Sequence, residues 1–170
     1  MIKSLGDKTP RIHPTAFVSE AAYVVGDVEI GENSSVWPGT VIRADMGVIV
    51  IGKNTCIQDN SVVHGDADVE IGDDVVIGHK VLCHARTVGD GSLLGSGCTV
   101  NDGVEIGEGS LVASGAMLVE NVVVPPGSLV VGVPGKVRGE VKERHTRLIE
   151  ATAAHYIEKG RRYKAQGDLE

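Results

Sequence analysis

The sequence predicts an all-β fold: a parallel β-helix of hexapeptide repeats over residues 1–136, followed by a C-terminal α-helix in segment 137–170. Three observations predict it. Aliphatic side chains recur every six residues over most of the chain. Glycine often follows them directly, as at Gly31, Gly52, Gly72, Gly78, Gly89, Gly95 and Gly107. After Pro134 the six-residue step stops and apolar residues recur every three or four. A step of six fits neither the 3.6-residue turn of a helix nor hairpins with turns every eight to twelve residues. It fits a coil whose sides are each one short strand and one corner.

The repeats run in phase through Val24, Ile30, Val36 and Ile42, then Ile51, Ile57 and Val63, then Ile71, Ile77 and Cys83. A last run extends from Val88 through Leu94, Val100, Ile106, Val112, Leu118 and Val124 to Val130. Stacking such coils about 4.8 Å apart pairs their backbones along the axis and merges the aliphatics into core ladders. The phase slips three times: nine residues separate Ile42 from Ile51, eight separate Val63 from Ile71, and five separate Cys83 from Val88. Each slip lies beside polar residues, Arg43 and Asp45 at the first, His64 and His84 at the others. GVPGK reads as the turn leaving the last coil. Beyond it, Val141, His145, Leu148, Thr152 and His155 or Tyr156 form one stripe of a helix that docks on its own column or on a neighbour's. Arg161, Arg162 and Lys164 suit the C-terminal end of the helix dipole, and Gly160 is expected to fray or bend it.

Composition bounds the function. The chain has 170 residues, enough for one domain with a tail, and only five aromatic side chains against 23 glycines, so the interior is narrow and aliphatic. A net charge of -7 with no long basic run before the C-terminal region argues against nucleic acid and anionic membrane surfaces as partners. The N-terminus lacks the apolar segment of a secretory signal and no stretch is long enough to span a bilayer, which predicts a soluble, cytoplasmic protein. Cys56, Cys83 and Cys98 are odd in number and lack CxxC spacing, as expected of reduced, packed thiols.

Three of the six histidines, His64, His79 and His84, fall within IQDNSVVHGDADVEIGDDVVIGHKVLCHA. If three hexads make one turn of 18 residues, the separation of 20 between His64 and His84 is one coil plus the two-residue insertion after Val63. Each follows an inward ladder residue, so both point outward at equivalent positions on adjacent coils, close enough to share a metal with Zn–N bonds of about 2.0–2.1 Å. His79 lies two residues after Ile77, on another face, so a neighbouring chain would supply it. Three imidazoles with an open fourth position are a catalytic zinc set, in which the pKa of bound water falls to about 7. Arg43, Asp45, Gln58 and Asp59 are the polar neighbours available to orient such a hydroxide and to order the interface. His13, His145 and His155 are assigned no chemistry.

WPGTVIRAD, IQDNSVVHG and IGHKVLCHA, with the later hexads, VPPGSLVVGVPGKV and the terminal helix, resemble the γ-class carbonic anhydrases from about residue 10 onward. The resemblance implies a left-handed β-helix and a homotrimer. It implies Zn2+, or Fe2+ or Co2+, held between subunits by His64 and His84 of one chain and His79 of the next. It further implies interface ion pairs from Arg43, Asp45 and Asp59, Gln58 positioning the hydroxide that converts CO2 to bicarbonate, and Tyr156 as a helix tyrosine approaching the site. The chain departs from the family pattern at Ala44, Met46 and Ala85, and GDADVE replaces a longer loop bearing a proton-shuttling glutamate, which leaves Asp66 or Asp68 as substitutes. A related metal-dependent thioesterase acting on acyl-CoA, a hexapeptide acyltransferase with one histidine as base, and an inactive trimeric homologue are the alternative functions.

Overall fold

The structure, a computed structural model, describes residues 1–167, so positions 168–170 of the predicted C-terminal segment lie outside the described residues. Short parallel strands wind around a single column as a β-helix. One face stacks Phe17–Val18, Ser35–Val36, Cys56–Ile57, Val76–Ile77, Leu93–Leu94, Leu111–Val112 and Ser128–Val131. The second stacks Val62–His64, Leu82–Cys83, Thr99–Val100 and Met117–Leu118. The third stacks Val69–Ile71, Thr87–Val88, Glu105–Ile106 and Val123–Val124.

The six-residue aliphatics fill the axis: Val24, Val36, Ile42, Ile57, Val63, Ile77, Leu94 and Val100 are fully buried. Each such Val, Ile or Leu contributes about 1.5–3 kcal/mol relative to an exposed position. The corners explain the glycines that follow. A Cβ on Gly95 would lie 2.4 Å from the backbone nitrogen of Ser114 on the next coil, a distance no side chain tolerates. Buried hydroxyls at other corners join the coils. Thr55 Oγ1 donates to the carbonyl of Gly72 at 2.8 Å and accepts the Val75 N–H at 3.0 Å, and Ser61 does the same with Gly78 and Val81. The desolvation cost of these buried hydroxyls is offset because each both donates and accepts a hydrogen bond.

The first phase slip is a strand and not a loop. Val41–Ile51 runs without a break around the corner between the second and third faces, paired with Tyr23–Ile30 in a register that shifts between Gly26 and Val28. Gly26 makes this possible: its φ is +89°, and a Cβ there would lie 2.0 Å from the Ala44 carbonyl oxygen. The strand Lys136–Glu140 is a second difference from the sequence reading, since part of the expected exit turn pairs antiparallel with Ser128–Val131 at the end of the first face.

The helix, Glu143–Gln166, lies on the first face of its own column. Its buried stripe is Ile149, Ala153, Tyr156 and Gly160, one residue out of step with the stripe expected from Leu148, which remains 53% exposed. Small residues decide this. Gly160 does not end the helix; it brings the backbone within van der Waals reach of Phe17 and Ser35. Phe17, Trp37, Tyr156 and Tyr163 then interlock with ring centroids 5.1–5.7 Å apart, mostly edge to face. His145 accepts the Lys142 N–H through Nδ1 at 3.1 Å and so helps cap the helix start.

Replacing Thr55 by Val keeps the shape and removes the hydroxyl that joins two coils. The buried Val75 N–H and Gly72 carbonyl then lose their partner, and urea unfolding of Thr55→Val should show a loss of about 1–3 kcal/mol.

Candidate metal centre

His64 ends the strand Val62–His64, and His84 follows Leu82–Cys83 on the adjacent coil. Val63 pairs with Cys83 and Arg43 with His64, so Arg43, His64 and His84 stand in one outward row. Strand alternation turns the imidazoles outward because Val63 and Cys83 are committed to the core. Both rings are largely shielded, with side-chain exposures of 12% and 17%. Their centroids are 4.8 Å apart, and His64 Nδ1 faces His84 Nε2 at 2.7 Å.

Each ring is held from behind by a carboxylate. His64 Nε2–H donates to Asp45 Oδ1 at 2.9 Å, and His84 Nδ1–H donates to Asp102. With the outer nitrogens donating, both inner nitrogens of the neutral rings carry lone pairs, and they face each other. Two lone pairs at that separation repel unless a proton or a metal cation stands between them. The hydrogen bond from His64, the Asp45 backbone amide and the neighbouring Arg43 guanidinium hold the Asp45 carboxyl below the usual carboxylate range.

The donors fit a divalent ion. Two metal–imidazole bonds of about 2.0–2.1 Å at a tetrahedral angle set their nitrogens about 3.3 Å apart, so the rings, 2.7 Å apart here, need only a small separation to take an ion between them. Carboxylates behind both rings are the usual second partners of metal-binding histidines, fixing tautomer and raising basicity. Asp66 also places a ligand atom within 4.8 Å of those of His64 and His84. Asp102 was not among the residues singled out from the sequence, although it stands 18 residues, one coil, after His84.

The other expected site residues gather elsewhere. His79, in the turn after Val76–Ile77, pairs through Nδ1 with Asp59 Oδ2 at 3.0 Å. Gln58 is buried beside them, its Nε2 directed at Cys56 Sγ at 3.8 Å. Tyr156 packs edge-on against Trp37, with ring centroids 5.2 Å apart. Burial, with smaller contributions from Cys56 and Asp59, pushes its phenol up to about 12. Among the described residues His79 does not join the cluster of His64, Asp66 and His84. One chain therefore displays two separate polar groups, Arg43, Asp45, His64 and His84 with Asp102 on one face, and Gln58, Asp59, His79 and Tyr156 by the helix-bearing face. Burial raises the thiols of Cys56, Cys83 and Cys98 to between about 11 and 12, which makes them poor ligands and nucleophiles at neutral pH.

Two measurements follow from this arrangement. Asp102→Asn leaves His84 free to turn or change tautomer, and calorimetric titration with Co2+ should show about 10–100-fold weaker binding. The raised Tyr156 phenol contributes stability that is intact below the unfolded tyrosine pKa of about 10 and is lost as pH climbs from there toward 12. Alkaline unfolding of Tyr156→Phe should therefore be less steep than that of the natural chain across that window.

Known proteins resemble the chain along most of its length. Residues 87–119 match the family model described as bacterial transferase hexapeptide (six repeats). A carbonic anhydrase of Geobacillus kaustophilus is 45% identical over 167 residues, covering 97% of this chain and 92% of that protein. Gamma carbonic anhydrase 2, mitochondrial, of Arabidopsis thaliana is 36% identical over 89% of this chain, which spans 57% of that longer protein. Among solved structures, a hexapeptide transferase family protein from Anaplasma phagocytophilum superposes with a TM-score of 0.92 at 36% identity, over 96% of this chain and 98% of the other. The paired histidines on adjacent hexapeptide coils and the near full-length relatedness lead to one conclusion: the chain belongs to the γ-class carbonic anhydrase family.

Proposed function

We propose that the protein is a homotrimeric, metal-dependent carbonic anhydrase that hydrates CO2 to bicarbonate. In this reading His64 and His84 of one chain and His79 of the partner subunit hold Zn2+, with Fe2+ or Co2+ as substitutes. The observation that carries it is the facing pair of His64 Nδ1 and His84 Nε2, each ring backed by a carboxylate, so that the space between them calls for a cation. His79 and Asp59 on a different face supply what that pair lacks, and a three-fold ring of prisms brings the two groups together at each interface.

A divalent ion held there supplies Lewis acidity and a water that ionises near neutral pH. The chain's own groups do the rest. Asp45 and Asp102 fix which nitrogen of each ring is offered, and Asp59 does the same for His79. Arg43 offsets the charge of Asp45, with which it pairs, and orders the interface. Gln58 supplies an amide beside the third histidine to orient the attacking oxygen, and CO2, small and uncharged, needs no large binding groove. Tyr156, packed on Trp37 and near enough to Asp59 to feel its charge, approaches this group from the helix. A hexapeptide acyltransferase needs one imidazole as base, and the facing imidazole pair has no task in it. No helix of the described residues is long and apolar enough to cross a membrane, and three buried free thiols fit a reducing compartment; we assign the enzyme to the cytoplasm.

Mixing chains tests the shared site. His64→Ala and His79→Ala should each lack oxygen exchange between CO2 and water. Unfolding and refolding them together at equal amounts should restore about one quarter of the sites, because one interface type combines His64 and His84 of one chain with His79 of the other. No recovery in mixed trimers overturns the interface site. Metal-loaded natural protein that hydrolyses thioesters without exchanging CO2 oxygen overturns the substrate.

A further inference from the structure

We propose that each chain captures its metal ion by itself, with Asp66 as the third ligand beside His64 and His84, before any partner contributes His79; this rests on the metal-site reading above. The loop GDADVE is two residues longer than a hexad needs between Val63 and Ile71, and the extra length makes a bend at Asp66 and Ala67. That bend is pinned to the neighbouring coil at two points. Asp68 Oδ1 accepts the Val48 N–H at 3.0 Å. Gly47 lets Ala67 settle against the strand, since a Cβ on Gly47 would lie 2.5 Å from the Ala67 carbonyl carbon.

The two carboxylates of the loop are thereby divided. Asp68 is used to anchor it. Asp66 makes no hydrogen bond or ion pair with any described residue, yet it places an oxygen within 4.8 Å of the ligand nitrogens of His64 and His84. A cavity of about 260 Å3 opens beside them, bordered by Asp66, His84 and Asp102. Asp45, Asp66 and Asp102 surround the two imidazoles with three carboxylates. Of the nearby guanidiniums, Arg43 is paired with Asp45, and Arg86 with Glu105 at 3.3 Å. A face with that balance attracts a divalent cation, and two imidazoles with one carboxylate are a sufficient donor set for Zn2+, Fe2+ or Co2+. The single chain thus offers three ligands without the interface, and on assembly His79 of the partner subunit takes the place of Asp66, so that the fourth position stays open to water.

Calorimetric titration of the metal-free full chain with Co2+ tests this, with visible absorption of the bound ion as a second readout and circular dichroism as a check of folding. His79→Ala should still bind one ion per chain, about 10–100-fold more weakly than the natural protein. Adding Asp66→Asn to that variant should weaken binding at least a further 100-fold, whereas His64→Ala should abolish it in any background. If His79→Ala binds no ion, or if the double variant binds as tightly as His79→Ala alone, capture through Asp66 is overturned while the three-histidine site stands. If His64→Ala binds Co2+ with the affinity of the natural protein, the metal-site reading falls and this inference with it.

Discussion

The register in which one coil lies on the next governs the rest of this molecule. Val63 and Cys83 must both face the axis and must pair with one another for the ladder to continue, and the two extra residues between the coils are expelled into the corner at Asp66 and Ala67. With those inward positions settled, strand alternation leaves His64 and His84 no choice but to project outward side by side. A slip of one residue would send the imidazoles into a core that has no partner for them and turn valine to solvent. The hydrophobic ladder thus acts as a ruler for polar groups that contribute little to stability themselves.

An exposed ion pair such as that of Arg43 with Asp45, or an exposed hydrogen bond such as that of His79 with Asp59, contributes little to stability. A fold stabilised by buried aliphatics and corner hydroxyls does not need them. The carboxylates at the paired rings serve orientation: Asp45 takes one nitrogen of His64 and Asp102 one of His84, and the two remaining nitrogens face each other. Because Asp45 is held ionised by the imidazole it orients, ring and carboxylate fix one another. Four of the five aromatic side chains, by contrast, are gathered under the helix, where their area is used for packing.

Much of this was legible in the sequence, and the gaps have physical reasons. The six-residue period reports inward positions, so the column, its ladder and the alignment of His64 with His84 could be read by counting. The period is silent on backbone continuity. Ile42 to Ile51 looked like an interruption, whereas Gly26 allows the neighbouring strand to follow it around the corner. Helical spacing alone could not choose between Leu148 and Ile149, since the decision lies with Ala153 and Gly160, whose small size sets how near the helix can come to Phe17 and Trp37. Asp102 was within reach of the same coil count that linked the histidines. The family relationship rests on near full-length similarity, which no period encodes.

The reversed strand Lys136–Glu140 has an effect on how copies of the chain can meet. A β-helix that ended on a bare parallel rung would present a template onto which another copy could stack, and columns would lengthen into fibres. Here part of the terminal rung of one face is already occupied by a segment running the opposite way, beyond which the chain turns aside into its helix. Axial growth is discouraged at that end.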